Sequence, residues 1–177
     1  VVRRDGSEDR ALVEATHGAE QCGLVDFIGA EELDRSRGFW WSPESDALIV
    51  ERVDETPVQT WWISDPLHPE RAPYQHRYPA AGTDNAIITL VLARLDGSTV
   101  EIPWDNTAFP YLIDVSWTSH GAPLVVVSTR DQRRFLVLAV DTQTGATSTV
   151  ADLQDPQWVD AGPGLRTWAP DGRLLSL

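Results

Sequence analysis

The chain has 177 residues, 42% of them hydrophobic, and a formal net charge of −13. That length fits one domain with a sizeable core, and no apolar run approaches the ~18 residues that a membrane-crossing helix needs. The acidic balance argues against nucleic acid and anionic membrane as partners and favours cationic ones.

In chain order, the opening VVRRDGSEDR has neither Met nor the apolar centre of a signal peptide. Met is absent throughout, so the chain reads as an internal piece of a larger protein. All fourteen basic residues are Arg, the habit of a GC-rich genome, and nothing separates a cytoplasmic from a secreted bacterial location. Cys22 stands alone, cannot form an internal disulfide and reads as a part-buried core thiol. The segment 25–35 predicts the only helix, of two or three turns.

Strand signals dominate the remainder. ALIVERV (47–53), AIITLVLARL (86–95), PLVVVSTR (123–130) and RFLVLAVD (134–141) are rich in β-branched and large apolar residues. Turn chemistry follows them, as in Asp96-Gly97-Ser98 and Asp141-Thr142-Gln143-Thr144-Gly145. A Trp stands just ahead of a turn three times: Trp41-Ser42-Pro43, Trp117-Thr118-Ser119-His120-Gly121 and Trp168-Ala169-Pro170-Asp171-Gly172. After Trp117 the order DVSWTS, PLVVVSTR, RFLVLAVD, ATSTVADL makes four antiparallel strands on short turns, which is one propeller blade.

The interval from Trp117 to Trp168 is 51 residues, within reach of a blade repeat, whereas that from Trp41 to Trp117 is 76. The surplus falls in residues 56–85, which hold five prolines and predict an insertion with WWIS as a short extra strand. The expected fold is therefore all-β. It is a partial β-propeller of about two four-stranded blades plus parts of their neighbours, with one short inserted helix; a β-sandwich is the alternative. Residues 1–36 would end one blade and carry the helix, 37–104 and 111–153 would be blades, and 165–177 would start the next. Trp40, Trp41 and Trp117 read as blade core, while Trp61, Trp62, Tyr74 and Tyr78 of the insertion are left undecided between a cavity and a contact surface.

No serine sits in a Gly-x-Ser-x-Gly elbow, and His17, His68, His76 and His120 are scattered without metal-ligand spacing. No phosphate loop or dinucleotide turn occurs, so neither catalytic residues, a metal nor a cofactor is expected in this chain. Glu31 and Glu32 are adjacent, but three such acidic pairs occur and about four would arise by chance from 27 acids, so composition alone makes them surface charges. Their place on a short helix changes the reading. Neighbouring helical residues diverge by about 100°, so the pair can grip one compact cation from two sides. A peptide amino terminus, with three N–H donors and a pKa near 7.7–8.0, is such a cation.

The run FIGAEELDRSRGFWWSPESDALIVERVDETPV, followed by RYPAAGTDNAIITLVLARLDG and LIDVSWTSHGAPLVVVSTRDQRRFLVLAVDTQTG, resembles the propeller domain of dipeptidyl peptidase IV-like serine peptidases of the prolyl oligopeptidase clan. The likeness spans roughly residues 24–172. It implies an eight-bladed propeller capping an α/β-hydrolase domain, and a double Glu, matched by Glu31 and Glu32, that binds the free amino terminus of a peptide substrate. The peptidase would remove dipeptides with Pro or Ala second. The resemblance also implies that the Ser-Asp-His triad lies in the C-terminal hydrolase domain. A substrate-binding arginine would lie well upstream, since Arg3, Arg4 and Arg10 are too near Glu31. Expected partners are thus peptides with a free N-terminus and that hydrolase domain; self-association, or an edge covered by the chain's own tail, is expected from unpaired blade edges. The alternative function is a non-catalytic propeller serving as an interaction platform.

Overall fold

The strand runs fold into two four-stranded antiparallel meanders that lie face to face. The computed structural model describes residue 1 and residues 5–7, 9–160 and 167–175. In the first sheet, β3 (Ala47–Asp54) pairs with β6 (Ile87–Arg94) through eight residue pairs, and β6 pairs with β7 (Thr99–Ile102). The other side of β3 is shared by two short strands, β1 (Glu20–Cys22) and β2 (Phe39–Trp41). β1 pairs with Arg52–Asp54 and β2 with Leu48–Val50, so the two are halves of one inner strand. The halves are interrupted opposite Glu51. The stretch 1–36, expected to end a preceding blade, thus contributes β1 to the same sheet as residues 37–104.

The second sheet has the order β8 (Tyr111–Ser116), β9 (Leu124–Ser128), β10 (Arg134–Val140), β11 (Thr147–Gln154). Its inner strand has a register shift between Leu112 and Asp114. A two-stranded pair, β12 (Thr167–Trp168) with β13 (Leu174–Leu175), follows within the expected start of the next blade; residues 165–166 and 176–177 of that stretch lie outside the described residues.

The core explains why these strands are apolar on both faces. Ile49, Leu90, Leu92 and Ile102 of the first sheet meet Leu112, Val125, Val127 and Val140 of the second, all nearly inaccessible to water. The opposite face of the second sheet buries Leu124, Val126, Phe135 and Val137 beneath Val159, Trp168 and Leu174. β9 is buried at every residue because both of its faces are covered. The turn between β10 and β11 rests on the first sheet. Gly145 has φ 75°, and a Cβ there would run into the Glu101 carbonyl, so only glycine fits.

Two local expectations change. Trp40 and Trp117 pack against the inter-sheet core, but Trp41 is 41% exposed. Consecutive strand residues point to opposite faces, so both tryptophans cannot enter one core. Within the 56–85 insertion, WWIS does form a strand, β4 (Thr60–Ile63), and it gains a partner the sequence did not suggest in β5 (Tyr74–Arg77). The hairpin projects from the β3–β6 end. Arg77 holds its base by donating from Nη1 to the Glu55 carbonyl at 2.6 Å and to that of Val58 at 3.0 Å.

Candidate functional site: a clamped helix carrying two free carboxylates

Residues 23–38 leave the inner strand of the first sheet and return to it, and Glu51 closes the neck of this excursion. The Gly23 N–H donates to the Glu51 carbonyl at 2.8 Å, and the Glu51 N–H donates to the Gly38 carbonyl at 2.7 Å. Gly38 itself donates to the Gly23 carbonyl at 3.2 Å. A Cβ on Gly38 would meet the Leu24 carbonyl, so the neck closes this tightly only with glycine.

The excursion contains α1 (Phe27–Glu31), five residues rather than the expected eleven-residue segment. Asp26 is its N-cap and accepts from the Ile28 and Gly29 amides at 3.1 and 3.2 Å. Glu32 is the C-cap, and Asp34 at φ 54° turns the chain out of the helix. The reversal sends Arg35 back beneath α1, where its own N–H donates to the Gly29 carbonyl at 2.9 Å.

Under the helix lies a buried ionic cluster. Arg35 Nη2 is 2.5 Å from Asp26 Oδ1, and Nη1 is 2.5 Å from Glu51 Oε2; Nη2 also donates to Glu51 Oε1 at 3.1 Å. The side chain of Arg35 is 6% exposed and that of Glu51 is fully buried. Burial pushes the Glu51 carboxyl up to about 7 against the pull of the Arg35 guanidinium, and the charge of Asp26 adds to the rise. Asp114, on β8 at the register shift, is also raised by burial, with Arg35 and Arg37 acting in the opposite direction. Gly29 is the roof of the cluster: a Cβ there would strike Arg35 Nη2 and sit 2.5 Å from Asp26 Oδ1.

Glu31 and Glu32 end the clamped helix, both exposed. Among the described residues neither carboxylate has a hydrogen-bond or ion-pair partner, whereas the turn residues Asp54, Asp96, Asp131, Asp141 and Asp155 each accept from backbone amides of their own loops. Free exposed acids are common. This pair is fixed to a buried ionic anchor. α1 spans toward β8, and Leu33 packs onto the second sheet's core, so the pair stands between the inner strands of successive sheets. The insertion reaches the same helix. The Phe27 ring meets Tyr78 edge-on at 5.2 Å, and Tyr78 meets Trp61 at 6.0 Å.

Sequence reading singled out the double Glu but missed its support. Glu51 sits two residues after Ile49 and two before Val53, in phase with the buried apolar face of ALIVERV. A charged residue on that phase needs a buried partner, and that was the signal for a cation such as Arg35. No group of His, Cys, Asp or Glu able to hold a metal ion occurs among the described residues.

Two successive four-stranded antiparallel meanders of this form, packed face to face, are consecutive blades of a β-propeller. The family model described as the dipeptidyl peptidase IV N-terminal region matches residues 3–176, and the chain belongs to that family. It is 22% identical over 155 residues to human dipeptidyl peptidase 8, covering 75% of this chain and 17% of the relative. The mouse dipeptidyl peptidase 8 is 28% identical over 82 residues, or 41% of this chain and 9% of that one. Porphyromonas gingivalis dipeptidyl peptidase 4 superposes with a TM-score of 0.72 at 21% identity, over 88% of this chain and 23% of that structure. That likeness is one of fold. The chain spans less than a fifth of the length of these curated relatives.

Proposed function

We propose that this chain is the substrate-gating propeller part of a serine-type dipeptidyl peptidase, with Glu31 and Glu32 binding the free amino terminus of the peptide. The observation that carries the reading is the unpartnered carboxylate pair at the end of a helix anchored by buried charge. Neighbouring like charges repel each other, and an ammonium group relieves that cost while offering three N–H donors to the two carboxylates. Membership of the dipeptidyl peptidase IV N-terminal family supports the assignment.

The chemistry follows from a fixed distance. A hydrolase domain in the same protein would supply the nucleophile, and a peptide held by its terminal amine can present only one bond to it. Cleavage after the second residue is then set by length, with Pro or Ala preferred at that position. Hydrogen bonds to a charged group contribute about 1.5–3 kcal/mol each, or roughly ten- to hundredfold in binding. In the full-length protein, Glu31→Gln and Glu32→Gln should each lower kcat/KM for an Ala-Pro chromogenic substrate by about that factor. Wild-type kcat/KM in both variants would refute the amine-binding role.

A second reading, a non-catalytic interaction platform, draws on the hairpin, where Trp61, Trp62, Leu67 and Tyr74 are all exposed. The absence of turnover with intact folding of the full-length protein would favour it.

A further inference from the structure

We infer that Arg35 is the positioning residue of the amine-binding pair, locking the five-residue helix that carries Glu31 and Glu32 onto the core strand β3. This rests on the reading of Glu31 and Glu32 as an ammonium site. An isolated helix of fewer than about 12 residues is marginal in water, and α1 has five, with a single buried residue in Gly29. Its direction is therefore set by what holds its ends.

Arg35 holds both. Its N–H closes the C-terminal end on the Gly29 carbonyl, and its guanidinium reaches back to Asp26, the residue that caps the N-terminal end. The same guanidinium is bound through both Nη atoms to Glu51, in a strand whose neighbours Val50 and Val53 are almost fully buried. One side chain thus connects the two ends of the helix to a rigid element. Asp26 Oδ2 caps the helix while Oδ1 takes the guanidinium, so cap and clamp fail together. The charged groups facing Arg35 are Asp26 from the helix cap, Glu51 from β3 and Asp114 from β8, with Arg37 nearby on its own loop. Arg35 is too buried to touch a substrate, so its effect passes through the helix. A displacement of about 1 Å at a recognition site can cost about a hundredfold in rate.

The test uses the full-length protein and an Ala-Pro chromogenic substrate, with intact sites counted by fluorophosphonate titration of the nucleophilic serine. Arg35→Met is expected to raise KM at least tenfold, with kcat per titrated site changed far less. Arg35→Lys should recover part of the loss, because an ammonium reaches one carboxylate but cannot bridge two. Glu51→Gln, nearly isosteric, should also raise KM at pH 8, where Glu51 is ionised. A purely structural role predicts fewer titratable sites at unchanged KM, and that result overturns the inference. If Arg35→Met yields no titratable site, Arg35→Lys and Glu51→Gln decide by the same measure. Glu31→Gln serves as the reference. A raised KM in Glu31→Gln with wild-type KM in the Arg35 and Glu51 variants overturns only the positioning role. An unchanged KM in Glu31→Gln, or no turnover by the wild type, overturns the amine reading and this inference with it.

Discussion

Replacing Glu51 by Gln should make the segment around β3 progressively more stable, relative to wild type, as pH rises. Burial lifts the Glu51 carboxyl from 4.5 to about 7 in the folded chain. Between those values the native state keeps a proton that the unfolded chain releases. The stability that neutral Glu51 contributes is therefore fully present below pH 4.5 and is lost as pH rises through 7. At 1.36 kcal/mol per pKa unit the whole effect is about 3 kcal/mol, and about 2 kcal/mol of it falls between pH 5.5 and 8. The Glu51→Gln side chain cannot ionise, so the variant is spared that loss, and the other buried acid, Asp114, is common to both proteins and cancels. Hydrogen exchange of peptides covering residues 23–38 and 47–54, compared between variant and wild type at each pH, reads the difference locally. The ratio of exchange rates should shift about thirtyfold in favour of the variant from pH 5.5 to 8. A ratio that stays constant, or moves the other way, would mean that Arg35 keeps Glu51 ionised throughout and that the reasoning is wrong.

Two further outcomes follow from the geometry. Gly29→Ala forces the Arg35 guanidinium off Asp26, and breaking a buried ion pair costs about 3–5 kcal/mol, far above the ~0.5–1 kcal/mol that Ala gains over Gly in a helix; thermal melting should show a net loss, and an unchanged or raised Tm would refute the roof role of Gly29. The 177-residue chain expressed alone should scatter light as a species heavier than 19.6 kDa, because two blades cannot close a ring that needs at least four or so; a monodisperse monomer would refute this.

The larger strands were legible because their apolar content is enforced by burial on both faces. AIITLVLARL and RFLVLAVD differ from β6 and β10 by a residue or so at each end. β1 was not legible: Glu-Gln-Cys has no apolar pattern, and it becomes a strand only because β3 offers an edge beside it. The helix was read too long for a tertiary reason. Glu32 and Leu33 suit a helix, but the neck between Gly23 and Gly38 leaves room for little more than one turn before Arg35 must pass beneath it. The β4–β5 pairing was hidden by the prolines between the strands, which punctuate the segment without indicating that its ends meet. At the candidate site, local sequence located the two carboxylates. It could not supply their anchor, since Arg35 and Glu51 are sixteen residues apart and meet only through the return of the inner strand.

Stability and recognition should separate in one variant. Glu51→Gln should gain relative stability at alkaline pH while losing affinity for the amine, which a purely structural buried cluster would not do.

The most direct measurement is on the full-length protein: release of a coloured leaving group from Ala-Pro with a free amino terminus, against release from the same dipeptide with that terminus acetylated. The account predicts rapid turnover of the free form and at least a hundredfold slower turnover of the blocked one. Equal rates would contradict it and leave Glu31 and Glu32 as ordinary surface acids.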